Sequence, residues 1–116
     1  MIILDTDFLI TSIKYKVDVV AQIKANYPNE EIAIMDKTLD ELKNVNIPNA
    51  RAAAHLVKLK EITIIKTKKD KIVDKLILEK VEKDDIIATQ DRDLKRKLKK
   101  KDIKVITIRQ KKYVSI

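Results

Sequence analysis

The sequence contains no cysteine, no glycine and no tryptophan, and only two prolines in 116 residues. Without cysteine there is no disulfide and no thiolate metal ligand. Without glycine, turns that need a positive φ must be made by other residues. Asn26, Asn29, Asn46, Asn49 and Asp102 are expected there, because Asn and Asp tolerate the left-handed region best. The aromatic residues are Phe8, Tyr15, Tyr27 and Tyr113, too few for the rows of rings on which RNA-binding sheets stack bases. No apolar run approaches the ~20 residues that span a bilayer, so a cytoplasmic protein with no membrane partner is expected.

Positive charge is abundant. Lys and Arg total 26 against 18 Asp and Glu, a net charge of +8. Such an excess favours contact with nucleic acid or another polyanion. A lysine- and isoleucine-rich composition, as in a biased genome or a hot habitat, produces the same excess without any partner. With 45% hydrophobic residues, a chain of this length is expected to form one domain over 1–116.

Short apolar runs alternate with helical patterns. "IIL" (2–4), "IAIM" (32–35), "ITII" (62–65), "DIIAT" (85–89) and "KVITI" (104–108) read as strands. Between them, "FLITSI", "VDVVAQIKANY" (17–27), "DKTLDELKNV" (36–45), "ARAAAHLVKLKE" (50–61), "KIVDKLILEKV" (71–81) and "RDLKRKLKKK" (92–101) read as helices. "RQKKYVSI" reads as a tail. This rhythm predicts an α/β three-layer sandwich with a five-stranded parallel sheet covered on both faces.

In such a sheet, ligands bind beyond the carboxyl ends of the strands, where the strand order reverses. Asp5 follows the first strand. Asp36, Asp40 and Glu41 follow the second. Asp74 opens the helix after the third, and Asp91 follows the fourth. Every strand that leads into a helix thus delivers an acid to one rim, a costly placement in a lysine-rich chain unless a cation binds there. At 100° per residue, the apolar stripe Leu39–Leu42–Val45 leaves Glu41 on its flank and Asp40 nearly opposite. The stripe Val73–Leu76–Ile77 leaves Asp74 on its flank and Lys75 pointing away. Asp5, Glu41, Asp74 and Asp91 are therefore the candidate site, and Asp36 and Asp40 are set aside. Four converging carboxylates repel one another and push their pKa values up. A hard divalent cation relieves that repulsion, and oxygen-only donors select Mg²⁺ or Mn²⁺. Three of the four also have a plainer role: Asp91 as an N-cap, Asp74 as an early-turn acid favoured by the helix dipole, and Glu41 as a partner of Lys37. Asp5, at the end of an apolar strand, is the hardest to explain so.

Four motifs, "ILDTDFLI", "LDELKNV", "KIVDKLIL" and "IIATQDRDLKRKL", together with the ending "IKVITIRQKKYVSI", resemble the PIN-domain nucleases over nearly the whole chain. The resemblance implies strand order 3-2-1-4-5, with Asp5 and Asp91 on neighbouring strands. It implies Mg²⁺- or Mn²⁺-dependent cleavage of RNA, with metal-binding and catalytic roles for Asp5, Glu41, Asp74 and Asp91. It also implies an antitoxin partner or a role in RNA processing, and often a homodimer. Asp7 stands where the family often has Asn, and Lys75 where many members have a second Asp. The Gly usual near the last turn is replaced within "KKKDIK".

Thr89 is a candidate to hydrogen-bond Asp5, and Asp7 and Asp93 are candidates to assist at the rim. Arg51, Arg92, Lys95 and Lys99 are candidates to line an RNA path, although charged helix faces are usually only solvated. His55, among alanines, reads as an ordinary helix residue. "KKYV" in the tail is a candidate contact for a second copy or an antitoxin. Two rivals to a metal-dependent ribonuclease follow from the same residues. One is an inactive RNA- or protein-binding module of the same fold. The other is a receiver-like phosphoacceptor, disfavoured because the third and fifth strands end in "KTKK" and "RQKK".

Overall fold

The structure, a computed structural model, describes residues 1–44, 46 and 48–115. Six strands, β1 (Ile2–Leu4), β2 (Ile32–Met35), β3 (Thr63–Ile65), β4 (Ile86–Ala88), β5 (Lys104–Arg109) and β6 (Tyr113–Ser115), form one sheet in the order β3-β2-β1-β4-β5-β6. β1 to β5 are parallel and β6 is antiparallel to β5. The expected five-stranded order is present, and a sixth strand extends it. "RQKKYVSI" is therefore no tail: Tyr113–Ser115 pair with β5, and Val114 joins the core. The hairpin escaped the sequence reading because its turn, at Gln110 and Lys111, lacks the Asn-Gly or Asp-Gly signal of such turns.

Side-chain alternation along each strand sends successive residues to opposite cores. Ile2, Leu4, Ile32, Ile34, Ile86, Ala88, Ile106 and Ile108 face one core. There they meet α1 (Thr6–Lys14), α2 (Val19–Asn26), α3 (Asp36–Asn44) and α4 (Ala50–Leu59). Ile3, Met35 and Ile87 face the other core, closed by α5 (Val73–Lys80) and α6 (Arg92–Lys100). The central strands β1, β2 and β4 are buried throughout, as expected of parallel strands covered on both faces. α6 is held by Leu94 and Leu98, its only buried side chains; burial contributes about 2–3 kcal/mol each. The chain runs outward from β1 to β3 and returns to β4 on the other side of β1, so the order reverses between β1 and β4.

The absence of glycine is met differently from expectation. Positive φ occurs at Asn49 and Asp102, but also at Lys16, Glu61, Lys69, Gln110 and Lys111. Three of these close helices. After α1, the Lys16 amide bonds to the Ile13 carbonyl and the Val17 amide to that of Ser12. Glu61 and Ile62 close α4, and Asp102 and Ile103 close α6, by the same pair of bonds. Each is a Schellman motif whose following residue (Val17, Ile62 or Ile103) is buried against the core. That apolar anchor fixes the turn where glycine would otherwise be favoured. Val45, the end of the stripe read on α3, lies outside the described residues. Among the described residues, no helix is long and apolar enough to cross a membrane.

Candidate active site

Asp5 stands where β1 becomes α1. Its amide continues the ladder to the Ala88 carbonyl at 2.8 Å. Its extended backbone then ends the strand, and its Oδ1 accepts the Thr6 amide at 2.9 Å, capping α1. Its Oδ2 accepts a hydrogen bond of 2.7 Å from Thr89 Oγ1. Only 7% of Asp5 is exposed. Burial, reinforced by the neighbouring Asp7 charge, pushes its carboxyl up to about 7 against the pull of the Thr89 and Thr6 donors.

Thr89 ties this corner together. It is fully buried, and its amide extends the ladder one residue past β4 to the Ile106 carbonyl. Its hydroxyl donates to Asp5 and accepts the Asp91 amide at 3.1 Å. Asp7 Oδ1 lies 3.5 Å from the same hydroxyl and accepts the Gln90 amide at 3.3 Å. The Gln90 side chain takes the Ile108 amide on Oε1 at 2.7 Å and donates Nε2 to the Ile108 carbonyl at 3.2 Å. It thus replaces a strand residue opposite β5. Nothing in the sequence reading singled out Gln90: a glutamine after a strand becomes a clamp only when the neighbouring strand presents free backbone groups.

Glu41 and Asp74 form a second acid pair. Burial pushes the Glu41 carboxyl up, the Thr6 hydroxyl and Lys37 pull it down, and the Asp74 charge adds to the rise. Asp74 is half-buried in the first turn of α5, and its Oδ1 accepts the Lys75 amide at 2.9 Å. Thr6 stands between the two pairs: it follows Asp5 in the chain, its side chain acts on Glu41, and its hydroxyl shares a 3.1 Å hydrogen bond with that of buried Thr38. Thr38 was not singled out either, being one more polar residue in a helix until folding buries it.

Asp91 takes the plainer role weighed for it. Its Oδ1 accepts the amides of Asp93 at 2.8 Å and Leu94 at 3.0 Å, capping α6. Asp93 is exposed and engaged away from the rim: it pairs with Arg96 and, at 3.1 Å, with Lys97, whose cations hold its carboxyl below the usual range. The two acids set aside are engaged elsewhere. Asp36 accepts from the Thr67 amide and hydroxyl and the Lys37 amide. Burial works against these donors, yet they and Lys69 hold its carboxyl below the usual range. Asp40 pairs with Lys69 at 2.7 Å. Lys75 is exposed, as the helical angle requires, and so is His55.

Among the described residues, no group of three or more His, Cys, Asp or Glu is gathered as a metal cage. Asp5 stands beside Asp7 and Glu41 beside Asp74, and Asp91 is held beside Thr89 by its backbone amide and by the α6 cap. The cap bonds fix one Asp91 oxygen. The donor chemistry fits a hard cation: the groups are all oxygen, and buried Asp5 and half-buried Glu41 are carboxyls beside like charges. It does not fit a soft metal.

A family model described as a PIN-like domain matches residues 2–111. The chain belongs to the PIN-like domain family. A search of curated proteins gave no match. Among solved structures, the chain is similar to the PIN domain endonuclease Utp24, at 24% identity and a TM-score of 0.85 over 97% of this chain and 87% of that chain. At that identity the likeness concerns the fold. In this PIN-like chain Arg92, Lys95 and Lys99 line one open groove beside α6. Arg51 is exposed on α4, on the opposite side of the sheet, and does not line it.

Proposed function

We propose that this PIN-like chain is a Mg²⁺- or Mn²⁺-dependent endoribonuclease. The observation that carries the reading is Asp5: a buried carboxylate at the strand-order reversal, beside Asp7, with its charge disfavoured by both. Such a group is poised to gain from a cation. Endonuclease is also the activity in the name of the similar structure, and the net charge of +8 suits a polyanionic substrate.

Asp5, Glu41, Asp74 and Asp91 would hold the ion, with Asp7 beside them. When bound there, a divalent ion supplies positive charge against the phosphodiester oxygens and acidifies an attacking water. The chain's own residues set the stage. Thr89 fixes the Asp5 carboxylate through Oδ2 and the Asp91 backbone through its amide. The α6 cap holds Asp91 through Oδ1 and leaves Oδ2 outside the cap bonds. Thr6 stands between the two acid pairs, and Gln90 locks the turn that carries Asp91 against β5.

Labelled RNA incubated with Mn²⁺ and the purified protein tests the reading. Cleavage is expected, with loss in EDTA and in Asp5→Asn, whose circular dichroism spectrum should match the parent. Unchanged cutting by Asp5→Asn would refute the mechanism. A second reading, an inactive RNA-binding module, is favoured by the lack of a three-acid group among the described residues. RNA binding that persists in EDTA, with no cleavage in Mn²⁺, would decide for it. Nothing in the fold argues for the antitoxin or the second copy that the resemblance implies, and neither forms part of the proposal.

A further inference from the structure

β6 widens the sheet by one strand, and the two faces of that edge differ. On the α1–α4 side, α2 lies along β6, and Gln22 Oε1 accepts the Val114 amide at 2.7 Å. On the other side no helix follows α6. Val105, Thr107 and Ser115, alternating with the core residues Ile106, Ile108 and Val114, are left as the floor of an open groove of about 550 Å³ beside α6. Arg92, Lys95, Lys99, Lys100 and Arg109 line it, and none forms an ion pair among the described residues. Arg96 also lines it but is paired with Asp93. No aromatic ring and no acid lines the groove.

From this we infer that the groove is a sequence-blind track for the phosphate backbone of a single nucleic-acid strand, leading away from the acid site; the inference rests on the nucleic-acid reading above. Charge selects the ligand class: five cations without internal counter-charge meet a floor that bears hydroxyls. The missing aromatic rings exclude base stacking as the source of affinity. Arg92 follows Asp91 directly, so the track starts at the proposed site. From Arg92 to Lys99 the helix rises about 10 Å, long enough for its cations to meet successive phosphates of one strand. A strand engaged by the proposed site would run its next phosphates along α6 and across the end of β5 at Arg109. Substrates that end at the cut would lose this contact.

The test is fluorescence anisotropy in EDTA, so that binding is read without cleavage, using labelled twelve-residue oligo-U, oligo-A and oligo-dU. Equal affinity for all three is expected. Lys95→Gln with Lys99→Gln should weaken binding about tenfold and reduce the slope of log affinity against log salt by about 1.4, two contacts at 0.7 each. Lys58→Gln with Lys60→Gln, which changes net charge equally on the opposite face, should leave both unchanged. Equal weakening by the two pairs would reduce the effect to net charge and overturn the inference. A clear preference for one base, or tighter binding of an oligo-glutamate peptide than of oligo-U, would also overturn it, the latter pointing to a protein partner. Groove-dependent binding without cleavage in Mn²⁺ would sink the nuclease reading alone. Cleavage that the groove pair leaves untouched, together with unaltered binding, would sink the track alone.

Discussion

Thr89 Oγ1 donates a 2.7 Å hydrogen bond to the carboxylate of Asp5, joining the ends of two neighbouring strands across 84 positions of sequence. The same hydroxyl accepts the Asp91 amide, so one buried atom orders two of the four candidate acids. Thr89→Val keeps the shape and removes both bonds. It is expected to cost about 2 kcal/mol at pH 8, where Asp5 is charged, and less at pH 5, where it is neutral. Urea denaturation at the two pH values measures the difference; equal costs would show that the bond does not depend on the Asp5 charge.

Asp5 also sets a pH dependence. Its carboxyl is raised from 3.8 to about 7 in the fold, by burial first and Asp7 second. Between these values the folded state holds a proton that the unfolded chain releases, so stability falls as pH rises from about 4 to 7 and levels off above. Asp5→Asn should flatten that slope and be more stable than the parent at pH 8, by about 2 kcal/mol. Adding Mn²⁺ at pH 8 should raise the thermal midpoint of the parent and leave that of Asp5→Asn unchanged. Thermal melts across pH, with and without Mn²⁺, read both effects.

Asp91 serves α6 as its cap, and in the proposal it also serves the cation. The two roles separate by substitution. Asn caps a helix as well as Asp, whereas Ala loses the cap at a cost of about 1 kcal/mol. Asp91→Asn should therefore keep the parent's stability and Asp91→Ala should lose it, while both lose RNA cleavage. A fully active Asp91→Asn protein would confine Asp91 to capping.

The glycine-free helix ends carry a measurable strain. Lys16 holds φ at 56° and Asp102 at 58°. An L-residue with a long side chain pays roughly 1–2 kcal/mol in this region, and Asp pays less because its short polar side chain bonds locally. Lys16→Gly should therefore stabilise by about 1 kcal/mol, net of glycine's extra unfolded-state entropy. Asp102→Gly should give a smaller gain. Denaturant midpoints of the two variants give the ordering, and a destabilised Lys16→Gly would show that Val17 burial, not backbone strain, governs that turn.

Much of this was legible in the sequence for a physical reason. Buried parallel strands must be apolar on both faces, so "IIL", "IAIM" and "IIA" announce themselves, and helical spacing separates Glu41 from Asp40 and Asp74 from Lys75. Those signals are local, set by the 2-residue and 3.6-residue periods of the backbone. Strand order and pairing register are not local. They decide that Thr89 meets Asp5, that Gln90 finds the free amide and carbonyl of Ile108, and that Asp7 stands beside Asp5 and Asp74 beside Glu41. They also turn a charged tail into β6 and so open a cationic groove beside α6. Sequence by itself determined which residues lie at the sheet's carboxyl edge. Only the tertiary structure decided which oxygen faces which donor, because that depends on distances between segments far apart along the chain.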